Sequence, residues 1–245
     1  MTSQLVTCSK RLLQAVGCFA LLSSPAMNAN VTGSVQLVGN GAPDSRHKPD
    51  YSGVVVWLTS PATLSAQSAG KHAVMLQKGK TFTPHILPIQ AGTSVDFPNL
   101  DPIFHNAFSN FDGEIFDIGL YPPGQSRSVR FERPGIVRVF CNIHPSMSAI
   151  ILVLNSPYFA VSGRSGEYKI ENVPRGTYNI HFFHERATST TLDTLTQRVT
   201  VSSTTCVPLI RISESGYLPV AHKNKYGQDY PPANDDAGSY KAPVK

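Results

Sequence analysis

Apolar residues along this chain recur with a period of two, and no stretch shows a convincing apolar stripe at helical spacing. VTGSVQLV (31–38) and SGVVVWL (52–58) read as strands separated by a loop rich in Pro, Gly and Asp. ILPIQAGTSVDFP (86–98) predicts a strand, a turn at Ala91 and Gly92, and a second strand in which Val95 and Phe97 share a face. NLDPIFHNAFS (99–109) is irregular, with Asn99 and Asp101 suited to shape a turn by side-chain to backbone hydrogen bonds. A long loop ending in YPPGQS (121–126) follows. SVRF (128–131), the turn ERPG and IVRVFC (136–141) then predict a hairpin. Parity sends Val137, Val139 and Cys141 to one face and Arg138 and Phe140 to the other, so Cys141 points inward at the end of a buried strand.

SAIILVL (148–154) is apolar on both faces, which requires cover on both sides and so predicts a second packed module. That module is read from turns at Gly163–Gly166 and in NVPRG, the strands EYKI and TYNIHFF, and the further strands TQRVTV (196–201) and VPLIRI (207–212). The strands at 31–38 and 54–58 could join either sheet. Residues 214–245 turn to Pro, Gly, Asn, Asp and Lys and predict a disordered tail.

The first residues change the picture of where the protein works. Lys10 and Arg11 precede the short apolar run LLQAVGCFALL (12–22) and the small residues SSPA, a signal-peptide pattern over 1–26 with Ala29 as a second cleavage position. A lipoprotein reading at Cys18 is weaker, because apolar residues continue past it. No run is long enough for a membrane span, so the mature chain is expected in a periplasm. Removing Lys10 and Arg11 lowers the formal charge from +5 to +3, too little and too unpatterned for nucleic acid. Cys8 and Cys18 leave with the signal. Cys141 and Cys206 remain, and an oxidising compartment permits a disulfide between them; otherwise Cys206 reads as a small buried hydrophobe.

CNIHPSM (141–147) concentrates the chemistry. A zinc ribbon would want a second cysteine pair, a disulfide only the thiol, and a redox dithiol a C-x-x-C; each leaves Met147 without a role. Two imidazoles and a thiolate with a long thioether bond form the ligand set of blue copper. Cys141, His144 and Met147 would supply three donors, and His105, in FHNAF, the fourth.

In this order and strand context the residues resemble the cupredoxins, the plastocyanin- and amicyanin-like blue copper domains; C-x2-H-x2-M is similar to the short ligand loop of amicyanin. The resemblance covers about 78–154 and departs from the family in the long segment between His105 and Cys141 and in the extra N-terminal strands. It implies one type 1 copper on His105, Cys141, His144 and Met147, with Asn106 tying the two ligand loops together. It also implies single-electron transfer, with a cytochrome c or a dehydrogenase as redox partner, or copper binding as a store or chaperone. SGEYKIENVPRGTYNIHF is similar to the signature of carboxypeptidase regulatory-like, transthyretin-like sandwiches, with Tyr168 and Tyr178 as core aromatics.

The expected architecture is all-β: a cupredoxin Greek-key sandwich over 30–155, packed against a small transthyretin-like sandwich over 156–213. The remaining candidates read more plainly. His181 and His184 sit at an odd offset, on opposite faces of a strand, and His85 reads as a surface or packing residue. His47, His72 and His222 lie in polar loops or the tail, and Asp112, Glu114 and Asp117 in a solvated loop. Cys141 lacks the flanking histidines of a multicopper oxidase, and neither G-x-S-x-G, H-E-x-x-H nor a phosphate loop occurs, so no enzyme is expected. The alternative is a periplasmic module that recognises a glycan or a protein through the second sandwich, with a structural or vestigial metal site.

Overall fold

The computed structural model describes residues 28–39, 49–61, 70–110, 113–217 and 222–230. The predicted signal peptide (1–26), His47 and Asp112 lie outside the described residues. Strands run in the order β1 (Asn28–Val38), β2 (Val55–Thr59), β3 (His72–Val74), β4 (Leu76–Gln77), β5 (Phe82–Thr83) and β6 (Ile86–Gln90). Next come β7 (Thr93–Pro98), β8 (Phe108–Ser109), β9 (Phe116–Asp117), β10 (Ser126–Phe131), β11 (Gly135–Phe140) and β12 (Ser148–Leu154). The chain finishes with β13 (Phe159–Val161), β14 (Glu167–Pro174), β15 (Gly176–Phe183), the helix α1 (Ser189–Thr194), β16 (Gln197–Val201), β17 (Thr205–Cys206) and β18 (Ile210–Ser213). Among the described residues no helix is long and apolar enough to cross a membrane.

The fold is all-β. Sheets β10-β7-β3 and β6-β12-β11-β8-β9 enclose one core, in which Val95, Phe97, Phe131, Val137, Val139, Ile151 and Val153 are closed from solvent. Alternation along each strand produces this: Val95 and Phe97 of β7 point in while Ser94 and Asp96 do not. Cys141 and Met147 belong to the same core. A second sandwich packs β14-β1-β17, with β18 also on β1, against β13-β2-β15-β16. Its core holds Val31, Val35, Val56, Leu58, Tyr168, Tyr178, Ile180 and Phe182.

β12 joins the two bodies as its double-sided pattern predicts. Ala149, Ile151 and Val153 face the first core, while Ile150, Leu152 and Leu154 pack with Val55 and Phe183 of the second sandwich. β2 does the reverse, placing Val56 and Leu58 in its own core and Val55 and Trp57 between the bodies. Each strand thus serves two cores because its side chains alternate.

The sheets divide the chain differently from spans 30–155 and 156–213. β1 and β2 lie in the second sandwich, and the first sandwich is inserted between β2 and β13. β1 pairs antiparallel with β14 from Asn28↔Pro174 to Ser34↔Glu167 and parallel with β18 from Val35↔Ile210, so both of its edges are taken. One short helix adds to the predicted strands, and two further readings, on Cys206 and on the tail, are corrected. α1 has no buried residue and starts at a Thr188 cap, whose Oγ1 accepts from Thr191 N at 3.2 Å; a polar helix of this length leaves no apolar period to read. Cys206 is exposed and forms no disulfide: its Sγ donates to Val207 O at 3.9 Å, and it is the next residue, Val207, that is buried. Residues 222–230, assigned to a disordered tail, are ordered against the loop 141–147.

Candidate metal centre

β7 ends at Pro98, and the chain after it turns on its own polar side chains. Asn99 is fully buried: its Oδ1 accepts from Asp101 N at 3.0 Å, and its Nδ2 donates to Ile103 O at 2.8 Å. This delivers His105 to the core, where its backbone exchanges hydrogen bonds with Tyr121 (N to O at 3.2 Å and O from N at 2.9 Å). Tyr121 is wholly enclosed and donates to Phe97 O at 2.7 Å; burial pushes its hydroxyl up to about 12. On the other side, β11 ends at Phe140, and Cys141 follows with its side chain turned inward. The loop closes on itself: Met147 N donates to His144 O at 3.0 Å, and Cys141 N to Met147 O at 3.2 Å.

The Sγ of Cys141 lies 3.9 Å from Nδ1 of His105 and 3.6 Å from Nδ1 of His144. The three donor atoms fall within 4.8 Å of one another, and among the described residues this is the one His, Cys and carboxylate group that could hold a metal ion. Metal–sulfur and metal–imidazole bonds of about 2.3 and 2.0–2.1 Å, meeting at a tetrahedral or trigonal angle, put sulfur about 3.6–3.8 Å from nitrogen. The spacing fits a shared ion. His105, Cys141 and Met147 are closed to solvent, and His144 is half-buried. Met147 shares the core with Cys141, within the same loop.

The surroundings prepare these donors. Nε2 of His105 donates to Oδ2 of Asp101 at 2.7 Å, which leaves the Nδ1 lone pair toward the sulfur. Asp101 is itself seated in a nest of successive amides, Gly79 N at 2.6 Å and Lys80 N at 2.8 Å, with Lys80 at φ 53°. Burial works to raise the Asp101 pKa, but the bonds from Lys80 N, His105 and Gly79 N outweigh it and hold the carboxyl below its ordinary value. Burial lowers His144 to about 4, with the neighbouring His105 adding to the effect, so its imidazole is neutral and can ligate. Burial raises the Cys141 thiol, while the backbone amides of Asn106, Ile143 and His144 act the other way by favouring thiolate. Asn106, 1% exposed, accepts from Asn142 N at 2.6 Å through Oδ1 and so ties the His105 segment to the loop 141–147.

The other histidines have different neighbours. His181 stacks on Trp57 with ring centroids 5.1 Å apart and meets the Thr59 and Thr196 hydroxyls at 2.8 and 3.2 Å. His184 is bonded to Glu214 at 2.9 Å, His85 to Glu185 at 2.7 Å and His72 to Asp96 at 3.0 Å. Two contributors escape a reading of the sequence. Asp101 registers there only as a turn residue, although its i, i+4 spacing to His105 was a signal. The 222–230 segment carries a histidine and two tyrosines in an otherwise polar stretch, a faint mark of a docked piece.

No protein-family model and no curated protein matches the chain. Among solved structures it is similar to a purple cupredoxin from Nitrosopumilus maritimus, 22% identical over 34% of this chain and 99% of that one, with a TM-score of 0.31. A copper-containing nitrite reductase from Thermus scotoductus SA-01 is 23% identical over 48% of this chain and 28% of its own, with a TM-score of 0.33. A reduced amicyanin variant is 18% identical over 40% of this chain and 98% of its own, with a TM-score of 0.32. At these scores the likeness decides neither ligands nor function; those rest on the geometry of the site.

Proposed function

We propose that this chain is an exported single-electron carrier that holds one type 1 copper on His105, Cys141 and His144, with Met147 as a long fourth donor. The observation that carries the reading is one buried thiol between two imidazole Nδ1 atoms, at 3.9 and 3.6 Å, with a buried thioether in the same loop. Copper held there would supply one-electron chemistry, for which soft sulfur and imidazole together are suited because they accept both Cu(I) and Cu(II). The protein's part is to keep the donors where both states accept them. Asp101 holds the His105 tautomer, burial keeps His144 neutral, and Asn106 fixes the distance between the two ligand-bearing segments.

In this reading the 1–26 segment delivers the chain to the periplasm. It exchanges electrons there with a partner protein, a cytochrome c or a dehydrogenase, and catalyses no reaction itself. Adding Cu(II) to the purified protein should produce an intense visible thiolate-to-copper band that Cys141→Ala abolishes. A colourless Cu(II)-loaded protein would overturn the reading.

A second reading draws on the cleft of about 530 Å³ between the two sandwiches, lined in part by Trp57, Thr59, Asn155, His181 and Asp193. It makes the protein a glycan- or protein-binding module. Glycan binding that persists in Cys141→Ala would favour it.

A further inference from the structure

The loop 141–147 has little structure of its own. It closes on two internal backbone bonds, and the carbonyls of Cys141 and Pro145 are both met by the segment 222–230. The Tyr230 hydroxyl donates to Cys141 O at 2.9 Å, and Nε2 of His222 donates to Pro145 O at 2.7 Å. The same hydroxyl lies 3.2 Å from Nδ1 of His222, so the two side chains brace each other. The His222 ring stacks on Phe140, the residue before Cys141, with centroids 4.0 Å apart and planes 23° from parallel. Lys225 N donates to Oδ1 of Asn142 at 3.0 Å, and Lys225 Nζ pairs with Asp117 at 2.7 Å. Asn142 is therefore held from within by Asn106 and from outside by Lys225.

We propose that residues 222–230 are a strap that sets the conformation of the ligand loop, with His222 and Tyr230 as its positioning residues. The proposal rests on reading Cys141 and His144 as copper ligands. A site that accepts two oxidation states without rearrangement needs a loop shaped by the protein rather than by the ion. A short loop gripped on its inner side alone could tilt about Asn142; capping the Cys141 and Pro145 carbonyls closes that hinge. Pinning the peptide on either side of His144 fixes the direction of its ring.

The test uses the full chain with His222→Ala, Tyr230→Phe, both together, and His222→Gln, whose amide can still donate to Pro145 O. In the metal-free protein, amide hydrogen exchange over 142–147 is expected to quicken at least roughly tenfold in the double variant and to recover toward wild type in His222→Gln. Exchange in β1 and β14, in the other sandwich, should stay unchanged and report an intact fold. With copper, Tyr230→Phe is expected to shift the visible band and the electron paramagnetic resonance hyperfine splitting, and to weaken copper binding by roughly 10–100-fold. Loop exchange within twofold of wild type in the double variant would overturn the strap, as would a wild-type thiolate-to-copper band that every variant reproduces unaltered. If wild type shows no thiolate-to-copper band while the variants still loosen the loop, the copper reading fails and the strap stands as a loop-positioning device.

Discussion

Replacing Asp101 by alanine removes three hydrogen bonds at once, those from Gly79 N at 2.6 Å, Lys80 N at 2.8 Å and His105 Nε2 at 2.7 Å. The three losses differ in size. Gly79 and Lys80 sit on an exposed turn where water replaces the carboxylate, so each loses only the net value of a bond, about 0.5–1.5 kcal/mol. His105 is fully enclosed, and its stranded N–H costs about 1–3 kcal/mol. The total is about 2–6 kcal/mol, with a middle value near 4. For a chain of this size that lowers the melting temperature of the metal-free protein by roughly 10 °C.

Asp101→Asn keeps the shape but turns an amide N–H₂ toward either the nest or His105. It should cost roughly half as much. It should also favour the His105 tautomer protonated on Nδ1, the atom facing Cys141, and so weaken copper binding by about 10–100-fold. Thermal unfolding of the metal-free variants, with copper competition against a chelator, reads both effects. Melting within about 2 °C of wild type together with unchanged copper affinity would refute the reasoning.

Met147→Leu conserves volume and should cost less than about 1.5 kcal/mol, yet change the spectrum of the copper-loaded protein; an unchanged spectrum would leave Met147 a core residue only. Leu152→Ala, in the apolar layer between the sandwiches, should cost about 2–5 kcal/mol in urea unfolding, and a loss below about 1 would mean that this layer is loosely packed. Gly166→Ala should destabilise by more than about 2 kcal/mol, since φ is +86° and an added Cβ would meet Val35 O at 2.0 Å; wild-type stability would show that the turn can move. His85 and Glu185 form a half-exposed bond across the two sandwiches. Their hydrogen bond raises the pKa of His85 and lowers that of Glu185. The His85 contribution is full below about 6.5 and lost as pH rises through the higher folded value, while that of Glu185 is full above about 4.5 and lost as pH falls through the lower one. The stability difference between wild type and His85→Gln should therefore be largest between about pH 5 and 6.5, at less than about 1 kcal/mol, and shrink by pH 8.5; a difference flat across that range would contradict the pairing.

Much of this protein could be read along the chain, because much of it depends on neighbours in sequence. Strand parity turned Cys141, Val139 and Val137 to one face, and the absence of a polar face on 148–154 required a second body, which Val55 and Phe183 supply. The spacing of Cys141, His144 and Met147 within one loop presented the candidate donors before any fold was known. The tertiary structure decided what depends on residues far apart. β1 and β2 alternate like every other strand here, and only pairing with β14, β15 and β18 assigned them to the second sandwich. Asp101 became the partner of His105 because the Gly79–Lys80 nest, from another loop, holds its carboxylate in place. The strap was legible least of all: its contacts reach back 77 to 108 residues from a polar segment with no periodicity. Periodicity records which way a side chain points, and loop spacing records which donors are close. Which surface meets which is settled by packing two cores at once, and no local pattern carries that information.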